Sequence, residues 1–364
     1  MLSAASPAGL GSFLVLLTAL HADVAHSASR GDYVQQALTG IRTLNGNWYD
    51  QGSGLWDGAW WQSANALTTL ADFAILQPNE ARAAGVPQTI QNTIQNAPKK
   101  FAGFRNEFYD DEGWWALGLI HAHDATGNNA YLQQAVDIFN DMETGRGGPC
   151  NGGIFWKKDR KYVNAVANEL YLTVAAALAN RIPTEARFAQ TAKDQWNWFQ
   201  RSGMINGQNL INDGLTDQCK NNGLTTWSIN QGVILGGLVE LSRSSLLGAG
   251  VLNTAKALAK ASIAALSNNG ILMEADKCEA QSSTCGVDAK QFKGVFIRNL
   301  GYLNQVLGDG EIRAFIQRNA DTIWAKDRDG NNKMGVAWAG PVVGVNGASH
   351  GSAVDALVAA VRVS

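Results

Sequence analysis

The sequence predicts an all-α protein whose helices form an (α/α)6 barrel, that is, two concentric rings of six helices. Hydrophobic residues recur at helical spacing along almost the whole 364-residue chain, and the alternation typical of strands is nearly absent. About twelve helices result, and two kinds of helix alternate. Two rings accommodate both kinds, whereas a helical solenoid, the alternative, would require a more regular repeat and polar end caps.

The predicted helices form six helix–loop–helix pairs, and no linker rich in Pro or Ser separates them. We therefore predict a single domain at 28–364, preceded by a signal peptide at 1–27. In chain order, the helices are predicted at residues 31–45, 59–77, 88–103, 112–125, 128–143, 164–180, 184–202, 227–244, 250–267, 290–307, 311–327 and 348–362.

The two kinds of helix differ in composition. Segments 185–200 and 311–326 are amphipathic and carry both signs of charge, as expected for an outer layer that faces water. Segments 164–180, 227–241 and 349–361 are rich in Ala and Gly and carry few charges. Small residues on all sides of a helix indicate burial and close helix–helix contact, which suits an inner ring.

The N-terminus has the features of a secretory signal. An apolar stretch runs from Leu10 to Leu20, and Ala25-His26-Ser27 supplies small residues for cleavage. A membrane anchor is the alternative, but this stretch is too short to span a bilayer. The product is predicted to be secreted and monomeric, without a transmembrane segment.

Charge and cysteines narrow the possible functions. The net charge is -2 and no long Lys/Arg run occurs, so binding to nucleic acid or an anionic membrane is not predicted. Four cysteines suit disulfides in a secreted protein. Cys278 and Cys285 bracket a short polar loop and should pair, which leaves Cys150 with Cys219. Zinc binding is the rival, but CxxC is absent and histidines are few.

The most informative segment is Tyr-Asp-Asp-Glu-Gly-Trp-Trp at 109–115. Adjacent carboxylates at Asp110 and Asp111, followed by the rings of Trp114 and Trp115, suit chemistry on a neutral, ring-shaped polar substrate such as a sugar. The alternative is purely structural, because Asp-Asp-Glu before an apolar run is also a favourable helix start.

Polar and aromatic residues of the inner helices concentrate at their N-terminal ends. If these helices run parallel, their ends surround one mouth of the barrel, and separated positions converge on a shared cleft. The residues concerned are Trp60, Trp61, Asn65, Asp110, Asp111, Asn164, Asn168, Glu169, Trp227, Asn230, Gln231, Gln291, Phe292, Lys293, Ser349 and His350.

Several segments resemble glycoside hydrolase family 76, the fungal and bacterial endo-α-1,6-mannanases. The resemblance spans most of the chain after the signal peptide, in the family's order. The segments are WWQSANAL (60–67), YDDEGWWALGLI (109–120), CNGGIFW (150–156), NELYLTVAA (168–176), NQGVILGGLVEL (230–241) and QFKGVFIRNL (291–300).

The resemblance implies an (α/α)6 fold and cleavage of α-1,6-mannosidic bonds in mannan with retention of configuration. It implies Asp110 as nucleophile and Asp111 as general acid/base, with no metal or other cofactor. The two carboxyls must straddle the anomeric carbon. Consecutive helical side chains diverge by about 100°, so we expect both acids in a non-helical turn before a helix that starts at Glu112. We expect one of the two pKa values to be raised.

Other residues are candidates for contacts with the sugar, each with a structural alternative. Tryptophan rings could stack on sugar or fill the core. Side-chain amides could donate to hydroxyls or tie helices together, and the lysine could extend to the surface. The candidates are Trp61, Asn65, Trp114, Trp115, Asn168, Asn230, Gln231 and Lys293.

Three further functions compete with hydrolysis. The same acids could transfer mannosyl groups to a sugar hydroxyl, and a barrel that only binds mannan would need the tryptophans but not the acids. A metal-dependent prenyl-diphosphate enzyme would need the pattern DDxxD, but position 114 is Trp and no basic phosphate-binding cluster is evident.

Overall fold

The computed structural model describes residue 1 and residues 28–148, 150–243, 250–281 and 285–364. The predicted signal peptide, apart from Met1, lies outside the described residues. The described helices are α1 Arg30–Trp48, α2 Trp61–Leu76, α3 Pro78–Ala83, α4 Val86–Asn96, α5 Tyr109–Thr126, α6 Asn129–Met142, α7 Ala165–Arg181, α8 Ala186–Arg201, α9 Ser228–Arg243, α10 Gly250–Ala265, α11 Ala289–Leu307, α12 Gly310–Lys326 and α13 Gly347–Val363.

Six helices form a closed inner ring in the order α2, α5, α7, α9, α11 and α13, and α13 packs back against α2. The outer helices α1, α4, α6, α8, α10 and α12 pack against them from outside. This confirms the predicted all-α class and the (α/α)6 arrangement. Among the described residues, the strands are confined to two short antiparallel pairs, β1 Tyr49–Asp50 with β2 Leu55–Trp56 and β3 Ser267–Asn268 with β4 Ile271–Leu272.

The inner helices approach each other closely because small residues lie at their contacts. A Cβ atom at Gly232 of α9 would lie 2.5 Å from the Cα of Phe296 on α11. One at Gly294 of α11 would lie 2.5 Å from the Cα of Ser352 on α13. The Ala- and Gly-rich composition that predicted burial is therefore a steric requirement of the ring.

The predicted helix at 88–103 differs from the structure. Helix α4 ends at Asn96, and the chain continues through two short 3₁₀ turns, Ala97–Lys99 and Ala102–Phe104. Pro98 explains the end of the helix, because proline lacks the amide hydrogen needed in a helix interior and its ring clashes with the preceding turn. These turns bring the chain to the start of α5, where the two predicted catalytic acids lie.

The seam between α2 and α13, where the inner ring closes, is polar. Asp355 of α13 accepts a hydrogen bond from Thr69 of α2 and forms an ion pair with Arg298 of α11 at 3.0 Å. Asp72 of α2 forms an ion pair with Arg362 of α13 at 3.2 Å. The last inner helix is therefore joined to the first by buried charges as well as by apolar packing.

Both predicted disulfides are present. Cys150 bonds to Cys219, and Cys278 bonds to Cys285. Cys278, Glu279 and Cys285 place three potential metal ligands within 4.8 Å of one another, but the two sulfur atoms are bonded to each other. None of the described helices is long and apolar enough to span a membrane.

Candidate active site

A cavity of about 560 Å³ opens at the N-terminal ends of the inner helices, and we call it the mouth cavity. Its wall combines aromatic rings with carboxyl, hydroxyl and amide groups, a composition typical of small-molecule sites. It is lined by Trp61, Phe108, Asp110, Asp111, Trp114, Trp156, Tyr162, Asn164, Val166, Asp213, Trp227, Ile229, Asn230, Asp288 and Phe292.

Five of the six inner helices, or the residues that lead into them, contribute to this lining. Helix α13 contributes none of the described lining residues, because its N-terminal polar groups are used elsewhere. His350 is buried, and its two ring nitrogens bond to the backbones of Met334 and Gly40 at 3.0 and 2.9 Å. Ser349 forms a capping box with Asn346. The inner helices therefore do not contribute equally to the mouth.

Asp110 and Asp111 lie in the first turn of α5, which begins at Tyr109. The expectation that both acids precede the helix is therefore wrong. Their side chains diverge as helical side chains must, yet both line the mouth cavity, together with Trp114 one turn later. The helix N-terminus also places its positive dipole end beside the two carboxylates.

The two acids have different hydrogen-bond partners. Asp110 Oδ2 accepts from the indole Nε1 of Trp156 at 2.9 Å, and its Oδ1 accepts from the Asp111 amide at 3.1 Å. Asp111 Oδ2 accepts from Asn106 Nδ2 at 2.6 Å. The N-cap residue Phe108 cannot cap the helix with its side chain. The Asp111 amide bond and the dipole of α5 fit the structural alternative for these acids, a favourable helix start, whereas the bonds from Trp156 and Asn106 are not explained by it.

Both carboxyls have a pKa above the ordinary value for Asp. Burial is the largest cause for Asp110, and the neighbouring charge of Asp111 raises its pKa further, while the hydrogen bond from Trp156 opposes the rise. Burial also raises the pKa of Asp111 to about 6, although the hydrogen bond from Asn106 opposes it. Two adjacent acids in this environment retain a proton between them near pH 6.

Two further acids line the mouth cavity. Asp213 accepts a hydrogen bond from the Tyr162 hydroxyl, which in turn accepts one from Asn222 Nδ2 at 2.9 Å. Asp288 Oδ1 accepts from the indole Nε1 of Trp61 at 2.8 Å. Each carboxylate is thus held by an aromatic side chain of the wall.

The aromatic wall is continuous on one side of the mouth cavity. The rings of Trp61 and Trp114 are stacked with centroids 5.8 Å apart. The ring centroid of Phe292 lies 6.1 Å from that of Trp61 and 5.7 Å from that of Trp227. Such a surface can receive the apolar face of a sugar ring.

Long loops complete the other side. The disulfide between Cys150 and Cys219 joins the loop that carries Trp156 to the loop that follows Asp213. Trp156 Nε1 reaches Asp110 from its loop, so the position of this loop bears directly on the acid pair.

The structure brings three of the eight predicted sugar-contacting residues to the mouth cavity, namely Trp61, Trp114 and Asn230. The other five are buried within the protein. Trp115 is fully buried, with its ring centroid 4.8 Å from that of Phe104. Asn65 donates to the Trp61 carbonyl at 3.2 Å and accepts from Arg298.

Asn168 and Gln231 use their amides to fasten loops to the inner ring. Asn168 accepts from the Ile154 amide at 2.8 Å and donates to the Ile154 carbonyl at 2.9 Å. Gln231 makes the same pair of bonds with Ile211, at 2.9 and 2.8 Å. A side-chain amide can replace one backbone partner in this way because it offers both a donor and an acceptor.

Lys293 does not extend to the surface either. Its side chain is buried, and Nζ donates to Glu279 Oε1 at 2.8 Å and to the Val336 carbonyl at 2.7 Å. It also lies 4.7 Å from the ring centroid of Trp338. Its role in the structure is to anchor α11 to neighbouring loops.

Sequence reasoning missed several lining residues, including Phe108, Trp156, Tyr162, Asp213 and Asp288. Asp288 immediately precedes an inner helix, so the rule that polar N-terminal ends surround the mouth could have found it. Asp213 and Tyr162 lie in irregular loops, where no periodicity indicates which way a side chain points.

Comparisons with known proteins identify the family of the chain. The family model described as glycosyl hydrolase family 76 matches residues 27–362. A similar curated protein is the mannan endo-1,6-alpha-mannosidase DCW1 of Candida albicans, 25% identical over 269 residues that cover 68% of this chain. The chain spans 58% of the length of that relative.

Solved structures share the fold. The GH76A alpha-1,6-mannanase of Salegentibacter sp. HEL1_6 superposes with a TM-score of 0.80 at 20% identity, covering 92% of this chain and 100% of that one. An inactive variant of that mannanase, with two consecutive aspartates replaced by asparagine, is in complex with alpha-1,6-mannotriose. It superposes with a TM-score of 0.79 at 18% identity, covering 92% and 100% of the two chains.

Proposed function

The chain belongs to glycosyl hydrolase family 76, and from that premise we propose that it hydrolyses α-1,6-mannosidic bonds with Asp110 and Asp111 as the catalytic pair. The observation that carries the proposal is the placement of two adjacent carboxyls with raised pKa values in an aromatic-walled cavity. The mannanase variant that holds mannotriose lacks two consecutive aspartates and is inactive, which supports the same pair here.

In the first step, ionised Asp110 attacks the anomeric carbon and forms a glycosyl ester. The glycosidic C–O bond breaks, and the departing oxygen takes the proton of Asp111. In the second step, Asp111 accepts a proton from water, the water oxygen bonds to the anomeric carbon, and the ester bond breaks. Two inversions at one carbon give net retention, and Asp111 ends the cycle protonated.

The hydrogen bonds favour this division of roles. Asp110 accepts two N–H groups, from Trp156 and from the Asp111 amide, and donors stabilise the ionised form of a carboxyl. Asp111 accepts one, from Asn106. With its pKa near 6, Asp111 can hold a proton in mildly acidic solution and release it to a leaving group.

The wall suits an uncharged oligosaccharide. Trp61 and Trp114 offer indole faces for stacking, while Asn230 and Asp213 offer an amide and a carboxylate to sugar hydroxyls. No metal or organic cofactor takes part in this scheme, in which protons and electron pairs move between the two carboxyls, the sugar and water.

We also propose that the protein acts outside the cell. The apolar N-terminal segment and its small-residue cleavage site support secretion, and two disulfides suit an oxidising compartment. Finding the full-length protein with its N-terminal segment intact inside the expressing cell would contradict this part of the proposal.

The test is incubation with debranched α-1,6-mannan, followed by product sizing and determination of the anomer first released. We expect shorter oligosaccharides and the α-anomer first. Release of the β-anomer first would contradict retention, and products longer than the supplied substrate would indicate transfer in place of hydrolysis. Binding of mannan without new reducing ends would indicate a non-catalytic protein.

A further inference from the structure

Asp288 occupies the N-cap position of α11 but does not cap it. Asp is among the residues most favoured at this position, because its carboxylate can accept from the exposed amides of the first turn. Instead, Oδ1 accepts from Trp61 Nε1 at 2.8 Å and from Gln62 Nε2 at 3.0 Å, both on α2. The carboxylate is therefore committed to another helix.

This contact spans two helices that are not neighbours in the inner ring, since α13 lies between α2 and α11. The bridge from Asp288 to Trp61 passes across the end of α13, where the mouth cavity receives no described lining residue from that helix. The Phe292 ring lies on the same side, with its centroid 6.1 Å from that of the Trp61 ring. Asp288 thus fixes the orientation of an indole that faces the cavity.

Asp288 also adds negative charge beside Asp111. After burial, which is the largest cause, the charges of Asp288 and Glu107 raise the pKa of Asp111, and Lys100 lowers it. Glu107 Oε2 forms an ion pair with Lys157 Nζ at 2.9 Å. Asp288 is exposed, and among the described residues no lysine or arginine forms an ion pair with it, so water and the N–H donors of Trp61 and Gln62 are what offset its charge.

The charged groups around Asp111 come from every neighbouring element. Asp110 lies on the same helix, Lys100 between the two 3₁₀ turns, and Glu107 on the segment before α5. Asp213 lines the cavity from a loop, and Asp288 lies at the start of α11. For Asp110, the neighbouring charge that raises the pKa is that of Asp111.

We infer that Asp288 is a positioning residue for the proposed hydrolysis: it holds Trp61 as part of the sugar-binding wall, and its charge beside Asp111 favours the protonated form of that carboxyl. The inference rests on the proposed function. A protonated Asp111 is the form that the proposed general acid needs before it can give its proton to the departing oxygen.

The test compares Asp288→Asn with Asp288→Ala, using debranched α-1,6-mannan and measuring kcat and KM across pH. Asparagine keeps an oxygen for Trp61 but removes the charge. We expect KM within about twofold of wild type and the alkaline limb of kcat/KM lower by about half a pH unit. Alanine removes the oxygen and the charge. The alkaline limb should therefore shift as it does for asparagine, and KM should also increase about fivefold.

Asp137→Asn is the matched control, because it removes one charge from an exposed side chain on the outer helix α6. It should leave both KM and the pH profile unchanged. An Asp288→Asn profile that coincides with wild type would overturn the charge role. A lower melting temperature of Asp288→Ala, with unchanged KM and pH profile, would reduce Asp288 to a structural tie between helices.

A separate binding measurement distinguishes failure of the inference from failure of the proposed function. In the Asp110→Asn/Asp111→Asn background, calorimetry with α-1,6-mannotriose should show about fivefold weaker binding when Asp288→Ala is added. Unchanged affinity there would overturn the role in holding Trp61. Wild-type protein that binds mannotriose but never releases reducing ends from mannan would overturn the proposed hydrolysis, and with it the charge role.

Discussion

At the mouth of the barrel, Asp110 and Asp111 lie side by side with amide and indole donors, and no described lysine or arginine forms an ion pair with either. At the opposite end, a second cavity of about 270 Å³ contains Asp72, which pairs with Arg362 at 3.2 Å and His121 at 2.9 Å. Trp114 lines both cavities. The same inner helices therefore hold acids in two very different electrostatic settings.

The pKa values follow this difference. Burial acts to raise the pKa of Asp72, but Arg362 and His121 outweigh it, so its pKa is lowered. Burial raises the pKa of Asp110 and Asp111, and nothing of comparable strength opposes it. A compensated acid is a stable anion and holds helices together, whereas an uncompensated acid exchanges protons in the range in which a general acid works. The contrast separates the proposed catalytic pair from Asp72, although a raised pKa alone does not mark a catalytic acid, because burial also raises the pKa of Asp355, which pairs with Arg298.

The strongest test of the contrast is to remove the charge at the mouth. Asp110→Asn and Asp111→Asn should each lower kcat on α-1,6-mannan by at least about a thousandfold, because each step needs both acids. The fold should persist, since neither residue forms an ion pair, and circular dichroism with thermal melting would verify this. Activity within tenfold of wild type in either variant would break the distinction.

The reciprocal change is Asp72→Asn, which leaves Arg362 buried without its acidic partner. We expect a loss of about 3 kcal/mol in the free energy of unfolding, measured with urea. The protein that remains folded should keep kcat within about twofold, because Asp72 does not line the mouth cavity. A variant with wild-type stability and reduced turnover would reverse the assignment of the two regions.

Trp156→Phe sharpens the contrast by removing one donor from Asp110 while keeping an aromatic ring in the wall. Loss of a hydrogen bond to a charged group should reduce kcat/KM by about tenfold to thirtyfold. The pKa of Asp110 should rise, so the acidic limb of the pH profile should move to higher pH. Tyr162→Phe, which removes a hydroxyl from the same wall, is the control and should not move that limb.

The smallest expected effect concerns stability and pH. Since the pKa of Asp111 is raised to about 6, the folded state binds its proton more tightly than the unfolded chain does. The contribution of the pair to stability therefore grows as pH falls from 7 to 5, by about 1 kcal/mol. The wild type should show this gain relative to the Asp110→Asn/Asp111→Asn double variant, by urea unfolding at both pH values.

Asp72 should behave oppositely. Because its pKa is lowered in the folded state, its stabilising contribution is complete above the pKa of an unfolded Asp, near 4. That contribution is lost only as the pH falls below this value, toward the folded pKa.

An equal gain in the free energy of unfolding between pH 7 and 5 in the wild type and in the Asp110→Asn/Asp111→Asn variant would show that these two acids are not the source of the gain.

The fold and the acid pair could be predicted for a common reason: both are encoded by local patterns. Helical periodicity and the alternation of Ala- and Gly-rich with amphipathic segments indicated two rings, and the ends of the inner segments indicated one mouth. Asp110 and Asp111 stand beside one another in the chain, so their proximity needed no folding. Trp61, Trp114 and Asn230 followed from their places at inner-helix ends.

The misplaced residues show the limit of that approach. Trp115 is one residue from Trp114, and a helical step of about 100° turns it from the cavity into the core. Asn168, Gln231 and Lys293 are polar residues near the correct ends, but loops that pack over them take up their donors and acceptors. Burial and pairing depend on partners far away in sequence.

By itself, the sequence determined the helical periodicity, the two classes of helix, the cysteine pairs and the adjacent acids, because each depends on composition or on residues close in the chain. Tertiary structure alone decided which polar groups remain available to a ligand. It brought Asp288 to Trp61 and Trp156 to Asp110, and it gave Asp72 a cation that the mouth acids lack. A carboxylate's role depends on the charges and donors around it, and folding assembles those from distant segments.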